Sequence, residues 1–268
     1  MATALEPNKA KIAKRVIEVF EFFNENSQKA TVMDIVRRYG RPQSSTSELL
    51  ATLVEMGLLY KDSRSRYYSP TPRLAALGVS AQPEIIRNGH LFAFMDRLAQ
   101  TTRHSVALFG MVGTSVQIFR LSAGPEPGLR DIGYGACEDL SASAAGLLLL
   151  STLPPEQASR LLWRLNAEAP AEDKFNPVEI REHVAGLRRQ GHAMGEAGFA
   201  SGLQMVATLL PRTGTERPLA LGLIYPANAV SIDTEALVAT MNRGIAQCSA
   251  WSESEIPAPP SMPLMMAV

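Results

Sequence analysis

Cysteine is scarce in this 268-residue chain: Cys137 and Cys248 are the only two, and neither belongs to a CxxC pair. That excludes a disulfide framework. Long hydrophobic runs are missing as well. A bilayer span needs roughly 20 apolar residues, whereas runs such as Gly146–Leu150 are short and bounded by Ser and Pro. The N-terminus lacks a signal peptide's basic-then-apolar order, because Lys9, Lys11, Lys14 and Arg15 interleave with a helical apolar pattern. No membrane partner is expected, and the expected location is the cytoplasm. Catalytic constellations are absent too. His90, His104, His183 and His192 are scattered, and there is no HExxH. Gly110-Met111-Val112-Gly113 is not followed by the GK[ST] of a phosphate loop. Cys137 has no evident base to activate it. Glu138 with Asp139 reads as a charge pair at a helix N-terminus, not as an acid/base pair. The expectation is no enzyme, no metal and no cofactor.

What is present is a chain apolar enough for two cores, with 46% hydrophobic and 19% charged residues. Its net charge of zero hides a split. Residues 1–80 hold 12 basic and 8 acidic side chains, and the remainder holds 14 basic and 18 acidic. A basic small segment on a mildly acidic larger body suggests a polyanion-binding module.

The first eighty residues read as three helices and a hairpin. Ile12, Val16, Val19, Phe20 and Phe23 recur at helical spacing over Lys11–Phe23. A second helix starts at Thr31, which can cap the amide of Asp34, carries Val32, Ile35 and Val36 inward, and ends at Gly40. Arg41-Pro42 opens a third, with Leu49, Leu50, Leu53 and Val54 on its buried face, stopping at Gly57. Leu58–Lys61 and Arg66–Ser69 then form two short strands across Asp62-Ser63-Arg64-Ser65. This is the order of a winged helix-turn-helix.

The third helix indicates what the module is for. Opposite its apolar face stand Gln43, Ser44, Ser45, Thr46 and Ser47. Solvent faces normally carry Glu, Lys and Arg, which favour helix. Short hydroxyl residues let a helix approach DNA closely and bond phosphates and base edges in the major groove. Lys9, Lys14, Arg37, Arg41, Arg64 and Arg66 are expected to neutralise phosphates.

These residues carry a resemblance. Residues 9–78 resemble the DNA-binding domain of the IclR family of bacterial transcription regulators, through Val32–Gly40, Pro42-Gln43-Ser44-Ser45 with Leu49-Leu50, Leu53–Leu59 and Tyr67-Tyr68. Downstream, Ser143-Ala144-Ala145-Gly146-Leu147-Leu148-Leu149 is similar to the family's Ala/Gly-rich helix opening, and Leu187–His192 to its Arg-x-x-Gly step into a strand. Two positions depart from the pattern. Glu48 stands where the family commonly has a basic residue, and Leu147 where it often has Lys or Arg. An acid beside a phosphate is repulsive, although it can also accept from a cytosine amino group.

Beyond the hairpin, apolar residues from Leu74 to Leu98 keep helical spacing up to Arg103. The expected organisation is a DNA-binding domain over 9–73, a linker helix over 74–103, an effector-binding domain over 104–250 and a flexible tail over 251–268. Strands are expected at Val106–Phe109, Ser115–Leu121, Leu129–Tyr134, Gln204–Leu210 and Leu219–Ile224, with helices at Ser141–Thr152, Pro155–Leu165, Pro177–Gln190 and Asp233–Ala246. The fold class is α+β, and the resemblance implies a GAF-like α/β effector-binding domain. In the family a small carboxylate sits between the Ala/Gly-rich helix start and facing strands. The matching positions here are Ala144, Ala145, Leu203, Met205, Gly222 and Ile224, all small or apolar. They suit an aromatic or apolar acid whose anionic head meets the helix N-terminus at Ser141–Ala145, and they suit ordinary strand core equally.

The reading is a ligand-responsive transcription regulator. It would bind double-stranded DNA at a palindromic operator as a homo-oligomer, dimer or tetramer, and answer to a small-molecule effector by population shift. The alternatives are an enzyme on the second domain, and a protein-interaction module with vestigial DNA binding, for which Glu48 is the main argument.

Overall fold

The computed structural model describes residues 7–23, 27–79, 82–124, 135–212, 214, 216–229 and 232–254. The chain divides into two compact units, Met1–Gln82 and Pro83–Val268.

The first unit contains α1 (Pro7–Phe22), α2 (Val32–Tyr39), α3 (Gln43–Glu55), β1 (Leu59–Lys61), β2 (Tyr68–Pro70) and α4 (Pro72–Val79). Local chemistry sets these bounds. Thr31 is extended and its hydroxyl accepts from the Asp34 amide, while the Asp34 carboxylate accepts the Thr31 amide at 2.8 Å. This reciprocal cap satisfies two amides that a helix start leaves free. Gly40 closes α2 in the left-handed region at φ 61°, where a side chain is costly. The chain then turns through Arg41 and Pro42 into α3. Val19, Ile35, Leu50, Leu53, Leu59 and Tyr68 form the core these elements share. Burying each such side chain contributes about 1.5–3 kcal/mol.

The second unit contains α5 (Glu84–Arg87), α6 (His90–Thr102), β3 (Ser105–Val112), β4 (Ser115–Ser122), β5 (Cys137–Asp139), α7 (Ala144–Leu150), α8 (Pro155–Glu168), a 3-10 turn (Ala171–Asp173), α9 (Pro177–Gln190), β6 (His192–Glu196), β7 (Leu203–Leu209), β8 (Leu219–Pro226) and α10 (Thr234–Ser254). The sheet order is β5-β4-β3-β8-β7-β6, and every neighbouring pair is antiparallel. β3 and β8 meet at its centre, with Ser105 opposite Ile224 and Gly110 opposite Leu219. Alternation divides the strand side chains between two cores. Ala107, Phe109, Met205, Ala207 and Ile224 pack with α7, α8 and α9, whereas Val106, Leu108, Val206, Leu221 and Leu223 pack with α5, α6 and α10. The unit is therefore a mixed α+β layer structure, as expected.

Three details differ from the sequence reading. The helix expected over 74–103 is three helices, α4, α5 and α6. Pro83 cannot continue a helical ladder, and Gly89 enters the left-handed region before α6. The helix expected at Ser141 begins only at Ala144, because Ser143 is extended and its hydroxyl caps the Gly146 amide. Residues 137–139 form an edge strand on β4, so Glu138 and Asp139 do not belong to a helix start. The expected strand Leu129–Tyr134 and residues 255–268 of the expected tail lie outside the described residues.

Candidate functional site

The N-terminal turns of α3 present a polar surface. Gln43, Ser44 and Ser47 are exposed, with Glu48 exposed beside them, while Leu50 and Leu53 are buried on the opposite face. Thr46 departs from the expectation. It is 1% exposed, and its hydroxyl donates to the Pro42 carbonyl at 2.9 Å. That back-bond satisfies the hydroxyl inside the helix and lets the side chain join the core stripe. Thr46 is thus packed beneath the surface that the other four residues share. Ser45 is half-buried, donating to Pro42 at 3.3 Å and accepting from Arg15 Nη2 at 3.1 Å.

The basic residues separate into two groups. Arg37 is exposed at the C-terminal end of α2, where a cation also complements the helix dipole. Arg41 is half-buried and turned towards α1 instead. Its Nη2 donates to Glu18 Oε1 at 2.6 Å and its Nε to Glu18 Oε2 at 3.2 Å, a two-pronged ion pair with α1. Arg64 and Arg66 lie on the exposed turn between β1 and β2. The Asp62 carboxylate organises that turn by accepting from the amides of Arg64 at 2.8 Å and Ser65 at 3.3 Å. Hydrogen bonds from Ser65 and from these amides hold the Asp62 carboxyl below its usual range. Arg66 is a non-glycine residue at φ 58°, and its amide donates to the Asp62 carbonyl at 3.0 Å. The strand side of the wing is fastened by Ala30, which exchanges two backbone hydrogen bonds with Tyr68 at 3.0 and 2.8 Å. The local alternation of short strands gives no sign of that third partner.

In the second unit the six candidate effector positions do converge, and they converge into packed core. Ala145, Met205 and Ile224 are fully buried, Ala144 is nearly so, and all belong to the cluster beneath α7 together with Leu203. Gly222 is a site of close approach. A Cβ there would lie 2.7 Å from Phe109 Cε2 and 3.2 Å from Met205 Sδ. Phe109 stacks on Phe199 with ring centres 5.7 Å apart and planes at 30°. The α7 N-terminus is tightly built around Gly146. Ser143 already takes the Gly146 amide, and the Leu140 carbonyl oxygen lies only 2.3 Å from where a Cβ on Gly146 would be.

The open space lies outside this core. A cleft of about 730 Å³ is lined by Glu138, Asp139, Asp173 and Glu196 with apolar Phe175 and Ile180, and among the candidate positions it reaches only Leu203. No Lys or Arg is among the described residues that line it. Burial, together with the Asp139 charge beside it, pushes the Glu138 carboxyl up. Among the described residues no group of three or more His, Cys, Asp or Glu side chains could hold a metal ion. No helix among them is long and apolar enough to cross a membrane.

Residues 13–63 match the IclR helix-turn-helix domain. The chain is similar to the transcriptional repressor IclR of Escherichia coli strain K12, with 21% identity over 250 residues that cover 87% of this chain and 86% of that protein. The first unit therefore carries an IclR-type helix-turn-helix domain. Among solved structures it resembles the IclR transcriptional regulator of Alicyclobacillus acidocaldarius, with a TM-score of 0.60, 21% identity, and coverage of 92% of this chain and 99% of that one. It also resembles an IclR homologue from Microbacterium hydrocarbonoxydans, solved in complex with 4-hydroxybenzoate. That likeness has a TM-score of 0.60, 19% identity, and coverage of 90% of this chain and 99% of the other.

Two supporting contacts are not visible in the sequence. Glu18 is one of the eight acids counted in residues 1–80, and its signal is a charge adjoining the apolar stripe of α1. Arg188 has no assigned partner in the Leu187–His192 step, and its guanidinium donates to the Ser151 carbonyl at 2.8 Å and to that of Leu153. It thereby pairs the carbonyl of Ser151, the residue that caps α7, and that of Leu153 in the turn that follows.

Proposed function

We propose that this IclR-type regulator binds a palindromic operator as a homodimer. Gln43, Ser44 and Ser47 of α3 read base edges, and Arg37, Arg64 and Arg66 meet phosphates. The DNA-binding domain is residues 9–73, and residues 104–250 form the effector domain of a cytoplasmic protein. The observation that carries this reading is the exposed, small, polar start of α3, with basic residues displayed on α2 and on the wing. Glu48 sits on the same surface and suits a cytosine amino group.

The effector is a small aromatic or apolar carboxylic acid that enters among Ala144, Ala145, Leu203, Met205, Gly222 and Ile224 by displacing side chains packed there in the ligand-free protein. Support for an aromatic ring is the stacked pair Phe109–Phe199, where an incoming ring can take the place of Phe199 against Phe109. Support for the carboxylate is the relative that holds 4-hydroxybenzoate. The effector acts by binding the two operator-affinity states unequally.

Footprinting on the DNA upstream of the gene tests the first half. It should show inverted symmetry with half-sites about one helical turn apart, or a multiple of it. A tight complex of one protomer on one half-site would overturn the dimer reading. Operator binding with 4-hydroxybenzoate, and with its neutral analogue 4-hydroxybenzyl alcohol, tests the second. A response to the alcohol alone would overturn the acid as the effector class.

A further inference from the structure

The helix α1 buries a carboxylate beside its apolar stripe. Glu18 is 9% exposed beside Val19 at 2%, while Ile12 and Ile17 on the same helix are each 56% exposed. Burying a charge is unfavourable unless it is paired and hydrogen-bonded. The partner is the two-pronged Arg41, with side chains 12% and 37% exposed for Glu18 and Arg41. Arg41 directly precedes Pro42, the residue that opens α3, and Pro42 offers α3 no side-chain cap. One turn earlier on α1, Arg15 donates to Ser45 in the first turn of α3. Two directional contacts from neighbouring turns of α1 thus grip the entry to α3, one at the residue before its cap and one in its first turn. Apolar contacts such as Leu50 and Leu53 tolerate small rotations of a helix, whereas a fork-shaped ion pair fixes its angle.

We infer that Glu18 is a positioning residue for operator recognition, acting through Arg41 to set the angle of α3, and that Arg41 is not a phosphate contact. The inference rests on the reading of α3 as the DNA-reading helix. It makes Glu18 work against simple electrostatics. Neutralising an acid on a DNA-binding module ordinarily tightens binding, because the field becomes more positive and the freed guanidinium can reach a phosphate. If the pair positions α3, the same change weakens specific binding.

The test uses the full chain, a duplex carrying the footprinted upstream operator, and an unrelated duplex of equal length. Glu18→Gln and Arg41→Lys are compared with wild type at a temperature where each keeps the native helical circular-dichroism signal. Arg41→Lys keeps the charge and loses the fork, so it serves if Glu18→Gln fails to fold. The expected result is a roughly fivefold loss of operator affinity in both variants, the scale of about 1 kcal/mol for a partly exposed pair. In Arg41→Lys, which keeps the charge, affinity for the unrelated duplex and the slope of log affinity against log salt should stay at wild-type values. Tighter or unchanged operator binding by Glu18→Gln would overturn the inference while leaving α3 as the reading helix. So would a salt slope lowered by about one in Arg41→Met, the mark of a lost phosphate contact. Wild type that fails to prefer the operator over the unrelated duplex would overturn the reading of α3 as well.

Discussion

Arg188 on α9 donates its Nε–H to the main-chain carbonyl of Ser151, 2.8 Å away, immediately after the last residue of α7. This gives a physical meaning to the Arg-x-x-Gly step formed by Arg188, Arg189, Gln190 and Gly191. The arginine caps one helix while the glycine ends its own and turns the chain into β6.

Loss of that cap should therefore destabilise the second unit. Arg188→Ala is expected to lower its stability by about 1 kcal/mol, after discounting for an exposed guanidinium. Arg188→Lys should recover only part of the loss, because an ammonium cannot span two carbonyls as a planar fork does. Thermal unfolding followed by circular dichroism measures both. A wild-type melting temperature in Arg188→Ala would remove the cap's significance.

The hydroxyl residues of α3 should divide cleanly by readout. Thr46→Ala is expected to cost about 1 kcal/mol of stability, through a lost methyl and a lost hydrogen bond, with operator preference intact in the folded protein. Gln43→Ala and Ser44→Ala are expected to leave the melting temperature alone and to cost about 1–3 kcal/mol of base discrimination at one position each. Paired melting curves and operator titrations check the contrast.

At the wing, Arg66→Gly should separate stability from binding in the opposite sense. The left-handed backbone at φ 58° costs a non-glycine residue about 1 kcal/mol. Glycine removes that strain and gives back part of the gain through a freer unfolded chain. Stability at or slightly above wild type is expected, with a salt slope reduced by about one per protomer. An unchanged slope would show that the Arg66 guanidinium meets no phosphate.

The packed effector positions lead to two opposed substitutions. Ala145→Leu adds volume at a fully buried site that does not line the cleft, so it should cost about 1–3 kcal/mol of stability. Phe199→Ala removes the ring that covers Phe109 and should strengthen binding of an aromatic ligand while lowering stability. Calorimetric titration with 4-hydroxybenzoate, run beside thermal unfolding, reads both. Weaker ligand binding by Phe199→Ala would show that Phe199 holds the ligand and does not stand in its place.

Acid should expose the cap of α2. The amide of Thr31, then its hydroxyl, hold the Asp34 carboxyl below its usual range. A group depressed on folding contributes stability that is present above its unfolded value and is lost as pH falls through the folded one. The advantage of wild type over Asp34→Ala should be complete at neutral pH and fade below about pH 4. Unfolding curves across that range give the comparison, and a pH-independent difference would mean that the charge of Asp34 is immaterial.

The parts of the fold that were legible in the sequence are those governed by neighbouring residues. Thr31 with Asp34, Gly40, Asn176 with Pro177, and Gly191 each mark a helix end through bonds made within four residues. The parts that were not legible depend on distant partners. Thr46 reads as surface beside Ser44 and Ser47 until the packed elements of the first unit bury it. Arg41 needed the fold to bring Glu18 to it, and β5 is too short for alternation to show. Small apolar residues such as Ala144, Ala145 and Gly222 fit a ligand cavity and a packed sheet equally well. Only the position of Phe109 against Gly222 and Phe199 shows that the sheet is filled.

The central pairing of β3 with β8 also imposes an order of events on a growing chain. Ser105 finds its partner only at Ile224, so the sheet stays open until nearly all of the second unit has left the ribosome. The helices and wing of the first unit draw on short-range contacts and can fold as soon as they emerge. For that interval the nascent protein carries a finished helix-turn-helix beside an unclosed β3–β4 hairpin, whose apolar edge is the surface a chaperone would meet.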